Sequence, residues 1–246
     1  MDTGIDFHTH ILPNMDDGAA SAEISLQLLS ALRSQGVNTM VLTPHYYSHR
    51  EALPAFLERR EVSTASLLTV LQQTEARQAL RLVLGCEVFL SEYLFNNSDL
   101  SPICIGETRY MLVEFRHGMD LGKRDVEHIE RLIDVYGIVP VLAHVERYNN
   151  LIYDTRLIDE LLSMGCLFQS NLSSFSRFGA LRHQLIKLVQ QQRLHLVGTD
   201  CHNMENRTPS FADNWNKLQR LAGPSPARAL SDRAAAILSD AQLLVG

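Results

Sequence analysis

Short predicted β-strands alternate with predicted helices along most of this chain. Few folds are compatible with this alternation. The predicted strands cover residues 4–8, 38–43, 81–87, 110–115, 138–144, 166–170 and 195–199. The predicted helices cover residues 21–35, 54–79 (one helix or two), 125–136, 154–164, 181–192, 209–221 and 226–238. Repeated βα units build a parallel sheet surrounded by helices. The seven strands predict an α/β fold, a distorted seven-unit (β/α) barrel with fewer units than the usual barrel.

The size of the chain fits one domain. Its 246 residues lie within the range of single α/β barrels, and 46% of them are hydrophobic, which is enough for one sizeable core. Neither an internal repeat nor a long linker divides the sequence, so we interpret residues 1–246 as a single domain.

The composition limits which partners this protein is expected to bind and where in the cell it is expected to be found. We expect no membrane insertion because no apolar run approaches the roughly 18 residues that a spanning helix needs. The first residues, MDTG, lack the apolar core of a secretion signal. Four widely separated cysteines predict reduced thiols in a cytoplasmic protein. The net charge of −6 argues against binding to nucleic acid, which favours a basic face.

A pair of histidines, His8 and His10, directly follows the apolar run 5–7. Side chains two residues apart on a strand share a face, so both imidazoles can approach one ion. Other residues of ligand type follow or end short apolar runs of their own: Asp16, Asp17, His45, Glu87, Glu114, His144, Asp200 and His202. The carboxyl ends of parallel strands meet at one rim, where active sites lie. The sequence therefore predicts a polynuclear metal site at this rim.

Seven segments carry these residues in order: IDFHTHILPNMDDG, TPHYY, GCEVFL, MLVEF, PVLAHVERY, MGCLFQSN and VGTDCHNMENRTP. The set resembles the PHP superfamily (polymerase and histidinol phosphatase), and more closely the manganese-dependent protein-tyrosine phosphatases of bacterial capsule and exopolysaccharide operons. The resemblance implies a PHP-type barrel with three divalent metal ions, Mn²⁺ being favoured over Fe or Zn. It also implies a phosphotyrosine protein as substrate, such as a membrane-linked bacterial tyrosine kinase.

The same resemblance distributes the candidate ligands over three ions. The first ion takes His8, His10, Glu87 and Asp200, the second takes Glu87 as a bridge with Glu114 and His144, and the third takes Asp17, His45 and His202. Imidazole and carboxylate without thiolate suit manganese, iron or zinc. Asp16 is expected to form a turn instead. The remaining histidines are expected to be structural or exposed: His49, His117, His128, His183 and His195.

Two arginines lie just beyond candidate ligands, Arg147 after His144 and Arg207 after His202. Guanidinium groups pair with phosphate through parallel hydrogen bonds, so both arginines are predicted to bind the ester. Bound cations lower the pKa of water from about 15.7 towards neutrality, which predicts hydrolysis by a metal-bound hydroxide. Three tyrosines are candidates for the wall of an aromatic substrate pocket: Tyr46, Tyr47 and Tyr148.

Other functions compete with this interpretation. Cys201 and Arg207, followed by Thr208, match the C-x5-R-[ST] spacing of cysteine-dependent tyrosine phosphatases, but residues 202–206 contain a glutamate and no glycine. A loop that binds phosphate through its amides needs glycine. Two alternatives stay open: a small-molecule phosphatase of the histidinol-phosphatase type, and a non-catalytic metal-binding scaffold. The complete set of candidate ligands and arginines favours an enzyme over a scaffold.

Overall fold

The computed structural model describes residues 4–74 and 80–245, so residues 75–79 of the predicted helix 54–79 lie outside the described residues. Within the described residues this helix ends at Leu71, earlier than predicted. The strands are β1 (Gly4–Thr9), β2 (Val37–Leu42), β3 (His45–Tyr46), β4 (Arg81–Leu84), β5 (Glu87–Phe89), β6 (Tyr110–Glu114), β7 (Val139–Leu142), β8 (Leu167–Asn171), β9 (Leu196–Gly198) and β10 (Leu243–Val245). The helices are α1 (Ala22–Ser34), α2 (Leu53–Leu71), α3 (Lys123–Tyr136), α4 (Thr155–Ser163), α5 (Ala180–Gln190), α6 (Ala212–Ala222) and α7 (Pro224–Ile237).

Side-chain caps and glycine fix several helix ends. The Ser21 hydroxyl accepts a hydrogen bond from the amide of Ile24 at the start of α1. The Asp154 carboxylate accepts two at the start of α4. Gly137 ends α3 with a φ of 65°, a conformation that glycine adopts without strain. These local signals explain why the predicted helix boundaries lie close to the observed ones.

The strands form two sheets, ordered β1-β2-β4-β10 and β3-β5-β6-β7-β8-β9. Every neighbouring pair in these sheets is parallel except β10 with β4. The ends of β1 and β9 also meet: the amide of Asp200 donates to the carbonyl of His8 at 2.8 Å, and the amide of His10 donates to Cys201 at 2.9 Å. The alternation in the sequence thus correctly predicted an α/β fold with parallel strands.

The predicted strand 81–87 is wrong as a single element, because it is divided into β4 and β5, which belong to different sheets. The carbonyls of Leu42 and Pro44 accept hydrogen bonds from the amides of Gly85 and Glu87 across this break. Proline cannot donate to a ladder, and β2 ends just before it. Strands β3 and β10 were missed, because two or three residues are too short to show a periodic pattern.

Two hydrophobic clusters hold the strand ends in place. The larger cluster packs helices α1 to α7 against the strands. The smaller cluster joins both sheets to α7 through Phe7, Val41, Val83, Leu112, Val141, Leu196, Ala234 and Ile237. Full burial of such a side chain contributes roughly 1.5–3 kcal/mol. The rim that carries the candidate ligands therefore lies on a well-packed base.

All four cysteines are buried and free, as predicted for reduced thiols. Within residues 4–74 and 80–245, we find no helix that combines the length and the apolarity needed to cross a membrane.

Candidate metal centre

The strand ends bring the predicted ligands into one connected cluster. Ligand atoms lie within 4.8 Å of one another in overlapping groups that include His8, His10, Glu87 and Asp200; His45, Glu87 and Glu114; His10, His45 and His202; and Asp16, Asp17 and His45. His144 joins them through Glu87, whose Oε1 lies 2.6 Å from His144 Nε2. Residues from opposite ends of the sequence thus meet at the carboxyl ends of parallel strands, as predicted.

The first group of predicted ligands is fully enclosed. The Nε2 atoms of His8 and His10 lie 3.1 Å apart, and each is within 3.2 Å of Glu87 Oε2. Asp200 Oδ1 lies 3.6 Å from His8 Nε2 and 3.4 Å from His10 Nε2. Gly198 permits this arrangement, because a Cβ at that position would lie 2.6 Å from the Cβ of His8.

The second group shares Glu87 with the first. His144 Nε2 lies 3.8 Å from Glu114 Oε2, in addition to its short contact with Glu87. His45, which was assigned to the third ion, also reaches this group, with Nδ1 3.1 Å from Glu87 Oε2 and 3.0 Å from Glu114 Oε1. The two oxygens of Glu87 therefore face different neighbours, as a bridging carboxylate would.

The third group lies nearer the solvent. Asp17 Oδ1 is 3.4 Å from His202 Nε2 and 3.6 Å from His45 Nε2. The Asp17 side chain is 66% exposed, whereas His202 is buried. Asp17 is thus the most accessible of the predicted ligands.

Asp16 has a role beyond the predicted turn. The turn is present, since the amide of Gly18 donates to Asp16 Oδ1 at 2.9 Å. Its other oxygen lies 2.7 Å from His10 Nδ1 and accepts the amide of His45 at 2.9 Å. A carboxylate that holds one imidazole nitrogen turns the other towards a metal. The adjacent candidate ligand Asp17 was the only signal for this role.

Two amide side chains of β8, Gln169 and Asn171, were also missed. Gln169 Oε1 accepts the amide of His144 at 2.7 Å and faces His8 Nδ1 at 3.4 Å. The side-chain Nδ2 of Asn171 donates to Asp200 Oδ2 at 2.8 Å. Polar residues in an otherwise apolar strand are the signal that could have identified them.

Opposite charges offset the cost of burial. Burial raises the pKa of Glu87, but the charges of His8 and His144 outweigh it and hold that pKa well below its usual range. The pKa of Asp200 is also held well below its usual range, because the charges of His8 and His10 outweigh the effect of burial. Burial and the charge of His10 lower the pKa of His202 to about 2. Glu87 and Asp200 are therefore ionised and His202 is neutral, the states in which they bind metal. The neighbouring carboxylates outweigh burial and raise the pKa of His8 and of His10, so these two imidazoles must release a proton when they bind metal.

The donor set fits divalent cations. Four buried atoms of the cluster make no well-directed hydrogen bond, although three of them lie within 3.4 Å of an oppositely charged or polar group: His45 Nδ1, Glu114 Oε1, His144 Nδ1 and His202 Nε2. Buried polar atoms are almost always paired, so unpaired atoms in a site need an explanation. Imidazole and carboxylate donors without thiolate suit manganese, iron or zinc.

Both predicted arginines reach this cluster. Arg147 Nη2 donates to Asp200 Oδ2 at 2.5 Å, and Arg207 Nη2 donates to Asp200 Oδ1 at 2.8 Å. Arg207 Nη1 also lies 3.3 Å from Asp17 Oδ2. Both arginines line an open cleft of about 680 Å³ beside the cluster.

One of the three predicted wall tyrosines lines this cleft. Tyr47 stacks on His45, with ring centroids 5.2 Å apart and planes at 27°. Tyr46 and Tyr148 are 1% exposed and belong to the core, so they do not form its wall. The hydroxyl of Tyr148 accepts the amide of Phe115 at 3.1 Å.

A family model for capsular polysaccharide synthesis proteins, CpsB/CapC, matches residues 4–239, almost the whole chain. This chain belongs to the CpsB/CapC family. The tyrosine-protein phosphatase CpsB of Streptococcus agalactiae is 28% identical over 235 residues, which cover 92% of this chain and 94% of that protein. The tyrosine-protein phosphatase YwqE of Bacillus subtilis is 28% identical over 247 residues, which cover 95% and 91%.

A solved structure extends this relationship to three dimensions. This structure comes from a crystallographic study of YwqE from Bacillus subtilis and CpsB from Streptococcus pneumoniae, which describes them as unique metal-dependent tyrosine phosphatases. The superposition has a TM-score of 0.82 at 26% identity and covers 97% of this chain and 95% of the other.

In this CpsB/CapC protein the loop after Cys201 is not a phosphate cradle. Its amides are already engaged, because Glu205, Asn206 and Arg207 donate to Asn203 Oδ1 at 3.0–3.2 Å. The Cys201 thiol is fully buried, and burial raises its pKa. A reactive cysteine needs the opposite environment. The spacing shared with cysteine-dependent phosphatases is therefore coincidental.

Proposed function

We propose that this chain is a metal-dependent phosphatase that hydrolyses phosphotyrosine in proteins. The observation that carries the proposal is the convergence of Arg147 and Arg207 on the candidate ligand Asp200, beside the open cleft. A metal store or a scaffold would not require two guanidinium groups at its ligands. Relatives that match this chain over nearly its full length are named tyrosine-protein phosphatases.

We assign three divalent ions to this centre, most favourably Mn²⁺, with Fe or Zn as alternatives. The ligands in this proposal are His8, His10, Asp17, His45, Glu87, Glu114, His144, Asp200 and His202. When bound, the ions act as Lewis acids on the phosphoryl group and lower the pKa of water. Two observations support this assignment: the buried cluster atoms without a well-directed hydrogen bond, and the two oxygens of Glu87, which face different histidines.

The two arginines bind the phosphoryl oxygens of the ester. Arg147 belongs to a tight turn, in which its amide donates to the carbonyl of His144 at 2.8 Å. Arg207 accepts through its carbonyl the amides of His202 and Asn203. Both backbones are therefore fixed next to candidate ligands, and guanidinium groups held in this way stabilise developing charge without reorganisation.

Tyr47 forms the wall that receives the phenyl ring of the substrate. It lines the cleft and stacks on the candidate ligand His45. The leaving phenolate has a pKa of about 10, lower than that of an alkoxide, so a general acid is less necessary. A phosphoryl-cysteine intermediate is not part of this mechanism, because Cys201 is buried in the core.

The fold supports a finer assignment. We propose that residues 1–246 are a single domain and that the two sheets, joined where β1 meets β9, form one distorted seven-unit barrel. The family description links the chain to capsular polysaccharide synthesis. A membrane-linked bacterial tyrosine kinase of that pathway is the protein substrate that we propose.

The decisive experiment measures phosphate release from a phosphotyrosine peptide and from histidinol phosphate, with and without added Mn²⁺. We expect metal-dependent turnover of the peptide and a kcat/KM at least ~10-fold higher than for histidinol phosphate. Preference for histidinol phosphate would favour the small-molecule alternative. Absence of turnover with either ester in the metal-loaded protein would favour a scaffold.

A further inference from the structure

An imidazole that was not expected to bind metal lies beside the second group of candidate ligands. His117 follows β6, and its Nε2 is 3.1 Å from Glu114 Oε2. Ligand atoms of Glu114, His117 and His144 all lie within 4.8 Å of one another. The rings of His117 and His144 are 4.7 Å apart and nearly perpendicular, at 88°, so they are not simply stacked.

The loop that carries His117 is fixed to the loop that carries Arg147. The amide of Gly118 donates to the carbonyl of Arg147 at 3.0 Å, and the Asn149 side chain donates to the carbonyl of Gly118 at 2.6 Å. The amide of Asn149 donates to Met119 at 3.2 Å. Gly118 has a φ of 69°, which permits the turn directly after His117. The backbone that carries His117 therefore has a defined position, and the half-exposed imidazole contacts Glu114.

We propose that His117 is a further protein ligand of the ion held by Glu87, Glu114 and His144, an inference that rests on the proposed metal-dependent function. His117 lines the cleft and covers this group from its accessible side. With it, two imidazoles and two carboxylates face the ion. Because imidazole suits iron and zinc whereas carboxylate suits manganese, His117 shifts the preference of this position towards iron and zinc.

The first test compares His117→Ala with the control His49→Ala. His49 is an exposed histidine that contacts Tyr47 near the cleft and belongs to no ligand group among residues 4–74 and 80–245. Each zinc-loaded protein is dialysed against graded chelator, and the ions retained per chain are counted by mass spectrometry. We expect His117→Ala to lose one ion at a chelator concentration at least ~10-fold lower than the wild type and the control.

The outcomes separate this inference from the proposed function. Equal retention by His117→Ala and the wild type would overturn the assignment of His117 alone. A wild-type protein that retains no metal at all would overturn the proposed function as well. In the manganese-loaded proteins we expect a smaller difference between wild type and His117→Ala than with zinc.

A second test uses His117→Cys loaded with Co²⁺, with His49→Cys as its control. A thiolate that coordinates cobalt produces a charge-transfer absorption, and a thiolate is the form of cysteine that binds metal. The native cysteines are buried and belong to no ligand group in the described part of the chain, so their background is low. We expect the absorption band in His117→Cys only. Its absence from a fully cobalt-loaded His117→Cys protein would overturn the proposal.

Discussion

Glu87 connects the parts of the candidate centre, because its two carboxylate oxygens point to different neighbours. Oε2 faces His8, His10 and His45, and Oε1 faces His144. Ligand types could be predicted from the sequence, because each follows a short apolar run. The hydrogen bonds that orient them could not, because their partners are distant in sequence: Gln169 lies 25 residues from His144.

Removal of either arginine that we propose to bind phosphate should affect catalysis without emptying the centre. We expect Arg147→Ala and Arg207→Ala each to lower kcat/KM by ~10²-fold or more, the scale for losing a preorganised donor in a transition state. Arg33→Ala is the matched control, since Arg33 is an exposed residue of α1 and does not line the cleft. Phosphatase kinetics and metal content measured on the same preparations provide the check. Full activity in both variants would show that another loop binds the ester.

Cys201 should be dispensable for catalysis but useful for packing. Its side chain is fully buried in the larger hydrophobic cluster. We expect Cys201→Ala to keep most of the metal-dependent turnover and to lose about 1–2 kcal/mol of unfolding free energy, as for removal of a small buried group. Steady-state kinetics and urea unfolding test the two parts separately. A correctly folded, metal-loaded but inactive variant would point to sulfur chemistry.

At the scale of elements, a histidine that the sequence analysis expected to be structural or exposed supports the pairing of β8 with β9. His195 precedes β9, and its Nδ1 accepts the amide of Phe168 at 2.9 Å, while its own amide donates to the carbonyl of Phe168 at 2.9 Å. Burial, with a smaller effect from Arg233, lowers the pKa of His195 from 6.5 to about 4. The folded protein therefore needs the neutral ring.

This pairing should make stability fall as the pH falls. Between pH 6.5 and about 4 the unfolded chain binds a proton at His195 that the folded protein does not, so folding weakens with acidification. We expect His195→Asn, which keeps an acceptor, to reduce the loss of unfolding free energy between pH 7 and pH 5 by about 2 kcal/mol. Urea unfolding of both proteins at pH 7 and at pH 5 measures this loss of unfolding free energy. His183→Asn, at an exposed position of α5, should behave like the wild type.

Elements with a long periodic pattern were predicted best, because their signal accumulates over many residues. All seven predicted helices are present, with ends close to those predicted, except that α2 ends at Leu71, earlier than the predicted segment 54–79. The division between β4 and β5 could not be predicted, because it arises from the passage of the chain from one sheet to the other at Gly85. Such a passage depends on which strands are neighbours, and local sequence does not contain that information.

At the scale of the whole molecule, metal binding and folding should be coupled. The centre buries carboxylates and imidazoles from both ends of the chain, so ions that bind only the folded state stabilise it. Mn²⁺ at ~100 times its dissociation constant should contribute about 2.7 kcal/mol per site. For a domain of this size that corresponds to a rise in Tm of roughly 5–10 °C.

Calorimetry with and without Mn²⁺ measures this rise, and Glu87→Gln should abolish most of it together with turnover. The neutral amide keeps the shape of Glu87 but removes the shared charge. Glu51→Gln is the control, because Glu51 lines the same cleft, pairs with Arg59 and belongs to no ligand group in the described ranges. An undiminished rise in Glu87→Gln would show that the ions bind elsewhere.

The antiparallel strand β10 has a consequence for how copies of this protein meet one another. Its residues Leu243–Val245 occupy the edge of the sheet beside β4 and hide hydrogen-bonding groups that would otherwise face solvent. An open, apolar edge is a template for intermolecular strand pairing. Proteins truncated just after α7 should therefore self-associate increasingly as their concentration rises. The rim that carries the candidate ligands should still be intact in these proteins. Resistance to aggregation would then reside in three residues, none of which is a candidate metal ligand.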